Sequence, residues 1–204
     1  MIPIFPLPNV VLFPNVFLPL HIFEDRYREM VRDVLAADRI IGMVLLRGRT
    51  ADAAGPCPPV YPVGCSGLIT HSESIEGGRF NIVLRGLERF RIVDEDHTRS
   101  YRRARVDELA DPVVDHDALR DHRQRLDGLL RQRLTAAGTE PRGASRMADG
   151  DFVNALSQYL DLDPVEKQAL LERNGLLERC QSLVELLEIH ALTNGHSFPP
   201  LSVQ

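Results

Sequence analysis

Between Arg79 and Val93 the chain alternates. In RFNIVLRGLERFRIV, Phe80, Ile82, Leu84, Phe90 and Ile92 share one parity, and Arg79, Asn81, Arg85, Arg89 and Arg91 share the other. A period of two sends one set of side chains into a core and the other into water. The segment therefore predicts a strand with a wet arginine face, bent or bulged at Gly86. Other short apolar runs flank it. RIIGMVLL is nearly continuous, VYPVGCSGLITHSESI is interrupted by glycines, and RSYRRARVDEL carries Arg103 and Arg105. EGGR marks a turn between two of these runs.

The first 23 residues contain no Asp, Glu, Lys or Arg. That is long enough to cross a bilayer if helical. Pro3, Pro6, Pro8, Pro14 and Pro19 exclude such a helix, because each removes an amide donor and clashes with the preceding turn. No basic start and no small-residue cleavage site marks a secretory signal. PIF and VFLPL are instead expected as strands, with their prolines at strand ends or sheet edges.

Helical spacing appears at FEDRYREMVRDVLAAD. Tyr27, Met30, Val31, Val34 and Leu35 fall on one face, with Glu24 and Asp25 in the first turn and Glu24 placed to pair with Arg28. Six or so short strands with this one helix predict a compact, barrel-like β domain. After Asp111-Pro112 the period becomes helical throughout. Residues from about 115 to 137 form one amphipathic segment, and GTEPRGAS is a linker. A helix from Asp151 buries Phe152, Val153, Leu156, Tyr159 and Leu160. In DPVEKQALLERNG, Asp163 suits an N-cap, Pro164 the first helical position, Glu166 a capping box and Gly175 the residue after a C-cap. A last helix runs from about Leu176 to Leu192. The layout is α+β, with a β domain over 1–112 and a helical subdomain over 113–204.

Charge changes this picture little. Residues 1–110 carry 14 acidic and 14 basic groups, and residues 111–204 carry 15 and 10. Neither half has the net basic footprint of a nucleic-acid binder. Three cysteines make no disulfide framework, and no C-x-x-C occurs, which favours a bacterial-type, cytoplasmic setting. The seven histidines share no ligand spacing, so neither a metal site nor a cofactor is expected.

Several stretches together resemble one family. IPIFPLPNVVLFPNVFLPLHIFEDRYREMV, IGMVLL, VGCSGLI, GRFNIVLRGLERFRI, YRRARVDEL and LDLDPVEKQALLE are similar, in order, to the N-terminal domain of Lon proteases. The resemblance implies a pseudo-barrel related to PUA domains, followed by a helical bundle. It also implies a recognition module, a stand-alone form without the ATPase and peptidase. A phosphate-binding loop would need a Gly-Lys-Ser/Thr end. The one lysine is Lys167, on a charged helix that offers no cause for a lowered pKa, so a Ser–Lys dyad is not expected either. The chain is thus expected to be no enzyme.

The candidate sites follow from these readings. A module that captures unfolded or extended polypeptides, alone or for a protease or chaperone, needs exposed apolar surface. Phe13, Val16, Phe17 and Leu20 are candidates in the first half, Tyr159 and Leu160 in the second. The competing reading for each is a place in the core. Arg79, Arg85, Arg89, Arg91, Arg103 and Arg105 form an alternative anion-binding set for RNA, against which Asp94, Glu95 and Asp96 weigh. Glu24, Arg26 and Tyr27 could form a ligand-contacting corner, but a helix start with a core tyrosine explains them. A small-molecule enzyme is the third class.

Overall fold

The computed structural model describes residues 1–48, 57–113, 115–136 and 147–193. They fall into two compact units, Met1–Leu109 and a second beginning at Ala110. The loop expected over 48–59 lies largely outside the described residues, and the linker over 138–145 lies wholly outside them.

Among the described residues, the first unit is a mixed six-stranded sheet with one α-helix. Its elements are β1 (Ile2–Leu7), β2 (Phe17–Ile22), α1 (Asp25–Leu35), β3 (Ile40–Leu45), β4 (Val63–Ile75), β5 (Arg79–Asp96) and β6 (Arg103–Glu108). The order is β2-β5-β4-β3-β1-β6, and β6 also pairs with the far half of β5. The sheet thus coils back on its longest strand, while β2 stays outside that circuit. It is a coiled mixed sheet, not a clear barrel. β1 and β3 are parallel, and the other pairings are antiparallel.

Local sequence explains each element. The apolar parity of β5 is buried at Phe80, Ile82, Leu84 and Phe90. The register slips between Cys65 and Gly67, so β5 bulges just past Gly86. Gly86 is there for a close approach. Its amide donates to Val16 O and its carbonyl accepts from Asn15 N, both at 2.9 Å. A Cβ at Gly86 would lie 2.0 Å from Phe13 O. That approach folds Val11, Leu12 and Phe13 under the sheet as core. In β1, Pro6 lies beyond the two residues that pair with β6, so the missing amide breaks no ladder there. α1 buries Tyr27, Met30, Val31 and Val34, the expected face. Glu24 itself is extended and occupies the N-cap position without a capping side-chain hydrogen bond. It therefore pairs with Arg26 at 2.8 Å, and Arg28 pairs with Asp25 instead.

The second unit contains α2 (His116–Ala136), α3 (Asp149–Tyr159), α4 (Pro164–Leu171) and α5 (Leu176–Thr193). Phe152, Val153, Leu170, Leu171, Leu183, Val184 and Leu187 are buried. The capping box at α4 forms, with Asp163 N donating to Glu166 Oε2 at 2.9 Å. Gly175 has φ +95°, which a residue with a Cβ adopts only at a cost.

Candidate functional site

Among the described residues β2 pairs with β5 alone, so it is an edge of the sheet. An edge strand offers unpaired amides and carbonyls to another extended chain. Even positions of β2 turn inward, with Ile22 buried. Odd positions face out, and Phe17 keeps 49% of its surface exposed. Phe23, just past the strand, keeps 62%. Opposite these residues on β5 stand Arg85 at Phe17, Val83 at Pro19 and Asn81 at His21. A polar ladder crosses the same face. A ring nitrogen of His21 lies 2.8 Å from Asn81 Oδ1, and Asn81 Nδ2 donates to Glu73 Oε2 at 3.2 Å. The face is therefore apolar at Phe17, Pro19 and Phe23, with polar groups able to orient a peptide between them.

The sequence candidates divide. Phe13 and Val16 are core residues of the first unit, and Leu20 is half-buried. Phe17 faces solvent. In the second unit Leu160 is buried, while Tyr159 at the end of α3 is exposed. Phe23 was not among the candidates, although its odd parity, shared with the outward-facing Phe17, Pro19 and His21 of β2, could have marked it.

The arginine set does not form one free cationic face. Arg79, Arg85, Arg91 and Arg105 are exposed. Arg79 Nε donates to Glu76 O at 3.0 Å and Arg85 Nη2 to Asn15 Oδ1 at 3.1 Å. Arg103 is paired with Asp96. The expected wet position of Arg89 is not found, since it is only 4% exposed. There the strand is flanked by buried Cys65 on one side, and its carbonyl accepts from Leu109 N on the other. Acidic groups sit among these arginines. The Glu108 carboxylate pushes the Glu88 pKa up. The Asp96 carboxyl is held down at about 2 by the Thr98 amide and hydroxyl and by Arg103.

A pocket of about 240 Å³ lies in the first unit, lined by Pro6, Tyr27, Cys57, His97, Ser100 and Tyr101 among others. Tyr27 is buried against Phe5, with the Arg26 guanidinium 4.5 Å from its ring centroid. Of the suggested corner, Arg26 and Tyr27 line the pocket and Glu24 holds Arg26. Tyr101 donates to Asp33 Oδ2 at 2.6 Å, and burial with that bond pushes its pKa up to about 12. At the rim, Cys57 Sγ lies 3.6 Å from His97 Nδ1, and His97 Nε2 lies 3.7 Å from Glu95 Oε2. Histidine spacing in sequence did not anticipate this cluster.

Lys167 also departs from expectation. It is half-buried, its Nζ donates to Gln158 O at 2.7 Å, and burial pushes its pKa below the ordinary value, with Asp161 opposing. That bond commits the ammonium to a carbonyl.

A mixed sheet joined in one chain to a set of helices is the α+β architecture of Lon N-terminal domains. The Lon N-terminal domain protein of Xanthomonas campestris aligns over 90% of this chain and 96% of its own, with a TM-score of 0.63 and 22% identity. The N-terminal domain of a Mycobacterium avium complex Lon protease aligns over 93% and 98%, with a TM-score of 0.68 and 18% identity. At these identities the likeness concerns the fold. Residues 1–188 match the family model of the ATP-dependent protease La (LON) substrate-binding domain, and the chain belongs to that family. Lon protease 2 of Myxococcus xanthus is 28% identical over 95% of this chain, and the Lon protease of Syntrophus aciditrophicus is 26% identical over 93%. The chain spans about a quarter of the length of these curated relatives, 24% and 26%. Among the described residues no helix is long and apolar enough to cross a membrane.

Proposed function

We propose that this chain binds extended or unfolded polypeptide on the outer face of β2 and β5 and does not hydrolyse it. The observation that carries the reading is the exposed pair Phe17 and Phe23 on and beside an edge strand, in a chain of the Lon substrate-binding family. An incoming strand would pair along the outer edge of β2 through its backbone, which is blind to sequence. Pro19 removes one donor from that edge, so pairing would centre on the residues around it. The apolar side chains would then select segments that a folded protein hides. In this role the chain serves as an adaptor, or holds unfolded chains, for a protease or chaperone. Nucleic-acid binding is not favoured, because Arg89 is buried, Arg103 is ion-paired, and the first 110 residues carry no net charge.

Phe17→Ser and Phe23→Ser, together, test this reading against a permanently unfolded, fluorescently labelled model protein. Each exposed aromatic is expected to act as an anchor, so the pair should weaken binding by about tenfold or more. Arg85→Ala should leave it within about twofold, as a rim charge does. Unchanged binding in the double variant would remove β2 as the site.

A further inference from the structure

The cluster at the pocket rim shares no residue with the polypeptide site proposed at β2. Cys57, Glu95 and His97 each offer one ligand atom, and these atoms lie within 4.8 Å of one another. We propose that they form a binding site for a zinc-type divalent cation, with three protein ligands and one position open to the pocket.

The fold builds this meeting. β4 and β5 pair with Val63 opposite Arg91 and Cys65 opposite Arg89. Ile92 N still donates to Pro62 O at 2.8 Å beyond the last pair. Beyond that last bond both chains run on, and the Cys57 and His97 side chains meet, with Sγ 3.6 Å from Nδ1. Two residues forty apart thus face each other without any short motif between them.

The ligand chemistry fits. A thiolate, an imidazole and a carboxylate make the mixed sulfur, nitrogen and oxygen set that suits zinc rather than magnesium or calcium. In a tetrahedral zinc site neighbouring donor atoms stand roughly 3.4–3.6 Å apart, from the usual metal–ligand lengths. Here Cys57 Sγ is 3.9 Å from His97 Nε2, and that nitrogen is 3.7 Å from Glu95 Oε2. Cys57 and His97 are exposed, so small side-chain rotations close the difference.

The surroundings hold the ligands in place. Arg102 donates from Nε and Nη2 to both Glu95 oxygens at 2.8 Å, and from Nη1 to Pro58 O at 2.6 Å. One guanidinium therefore fixes a ligand carboxylate and the backbone beside the ligand thiol. Outer partners of this kind orient metal ligands. A carboxylate oxygen has a second lone pair, so Glu95 can ligate while Arg102 holds it. Next to His97, Asp96 Oδ1 accepts from Thr98 N at 2.9 Å and Arg103 pairs with the same carboxylate, which pins the turn. Thiolate, carboxylate and guanidinium sum to one negative charge, which a divalent cation offsets. Cys57 and His97 both line the pocket, so the open position can take water or an anionic oxygen of a small ligand.

Cobalt(II) replaces zinc and reports its ligands. The whole chain, reduced and metal-free, should take up one equivalent of cobalt with tetrahedral absorption and a thiolate-to-cobalt charge-transfer band. Zinc should displace it. Cys57→Ser should abolish the charge-transfer band, and His97→Ala should weaken uptake by about tenfold or more. Both side chains are exposed, so circular dichroism should show both variants folded. Zinc should also protect Cys57 from alkylation, while the buried Cys65 and Cys180 serve as internal references. Uptake without the charge-transfer band, a band that survives Cys57→Ser, or alkylation of Cys57 indifferent to zinc would each overturn the proposal.

Discussion

Gly86 shows how one residue fixes a loop. The backbone of Asn15 and Val16 bonds to both its amide and its carbonyl, and Phe13 O occupies the place of a Cβ. Gly86→Ala must push that loop away and open the core over Phe13, so it is expected to cost more than about 2 kcal/mol in chemical denaturation. Arg179 is the matching case in the second unit. It is 1% exposed, and donates from Nη1 to Asn154 Oδ1 at 2.7 Å and from Nε to Leu170 O at 3.2 Å. Arg179→Ala strands those acceptors and leaves a void, an expected loss of about 3 kcal/mol. Tyr101 makes the fold sensitive to alkali. Its pKa rises from 10.0 to about 12 on folding, so the native state favours the neutral phenol. The sign follows directly: its contribution is whole below about pH 10 and is lost as pH climbs through about 12. A stability profile over that window should fall less steeply in Tyr101→Phe.

At the scale of elements, much of the fold was legible in the sequence. Period-two alternation marks β5, helical spacing marks α1, and Asp163, Pro164 and Glu166 mark the start of α4, because local chemistry alone decides these features. What was not legible depends on partners distant in the chain. Arg89 has the parity of a wet residue, yet its side chain is buried, which alternation within β5 alone does not carry. Phe13 and Phe17 look alike in a proline-rich apolar run. The approach to Gly86 buries the first, and strand parity exposes the second. The Cys57, Glu95 and His97 cluster joins residues about forty positions apart in the chain, which no short spacing encodes. Lys167 sits on a capped helix, but its burial is set by packing around Gln158.

At the scale of the whole molecule, two kinds of partner would respond oppositely to salt. Polypeptide capture at β2 rests on apolar burial and backbone pairing, neither of which screening weakens much. RNA held by Arg79, Arg85, Arg91 and Arg105 would release counterions. Its affinity would then fall steeply as salt rises, by a power set by the number of phosphates contacted. An unfolded model protein and a short RNA, each titrated at low and moderate salt, therefore separate the two readings. The unfolded chain is expected to bind at both salts within a few-fold, and the RNA to show only weak binding that vanishes at moderate salt. Replacing Arg79, Arg85 and Arg91 by alanine should leave the polypeptide curve in place, since all three are exposed. Arg89 is left out of that set because its burial would confound lost charge with lost packing. If the triple change abolished polypeptide binding, or if RNA alone bound at moderate salt, the arginines would be the site and the β2 face would not.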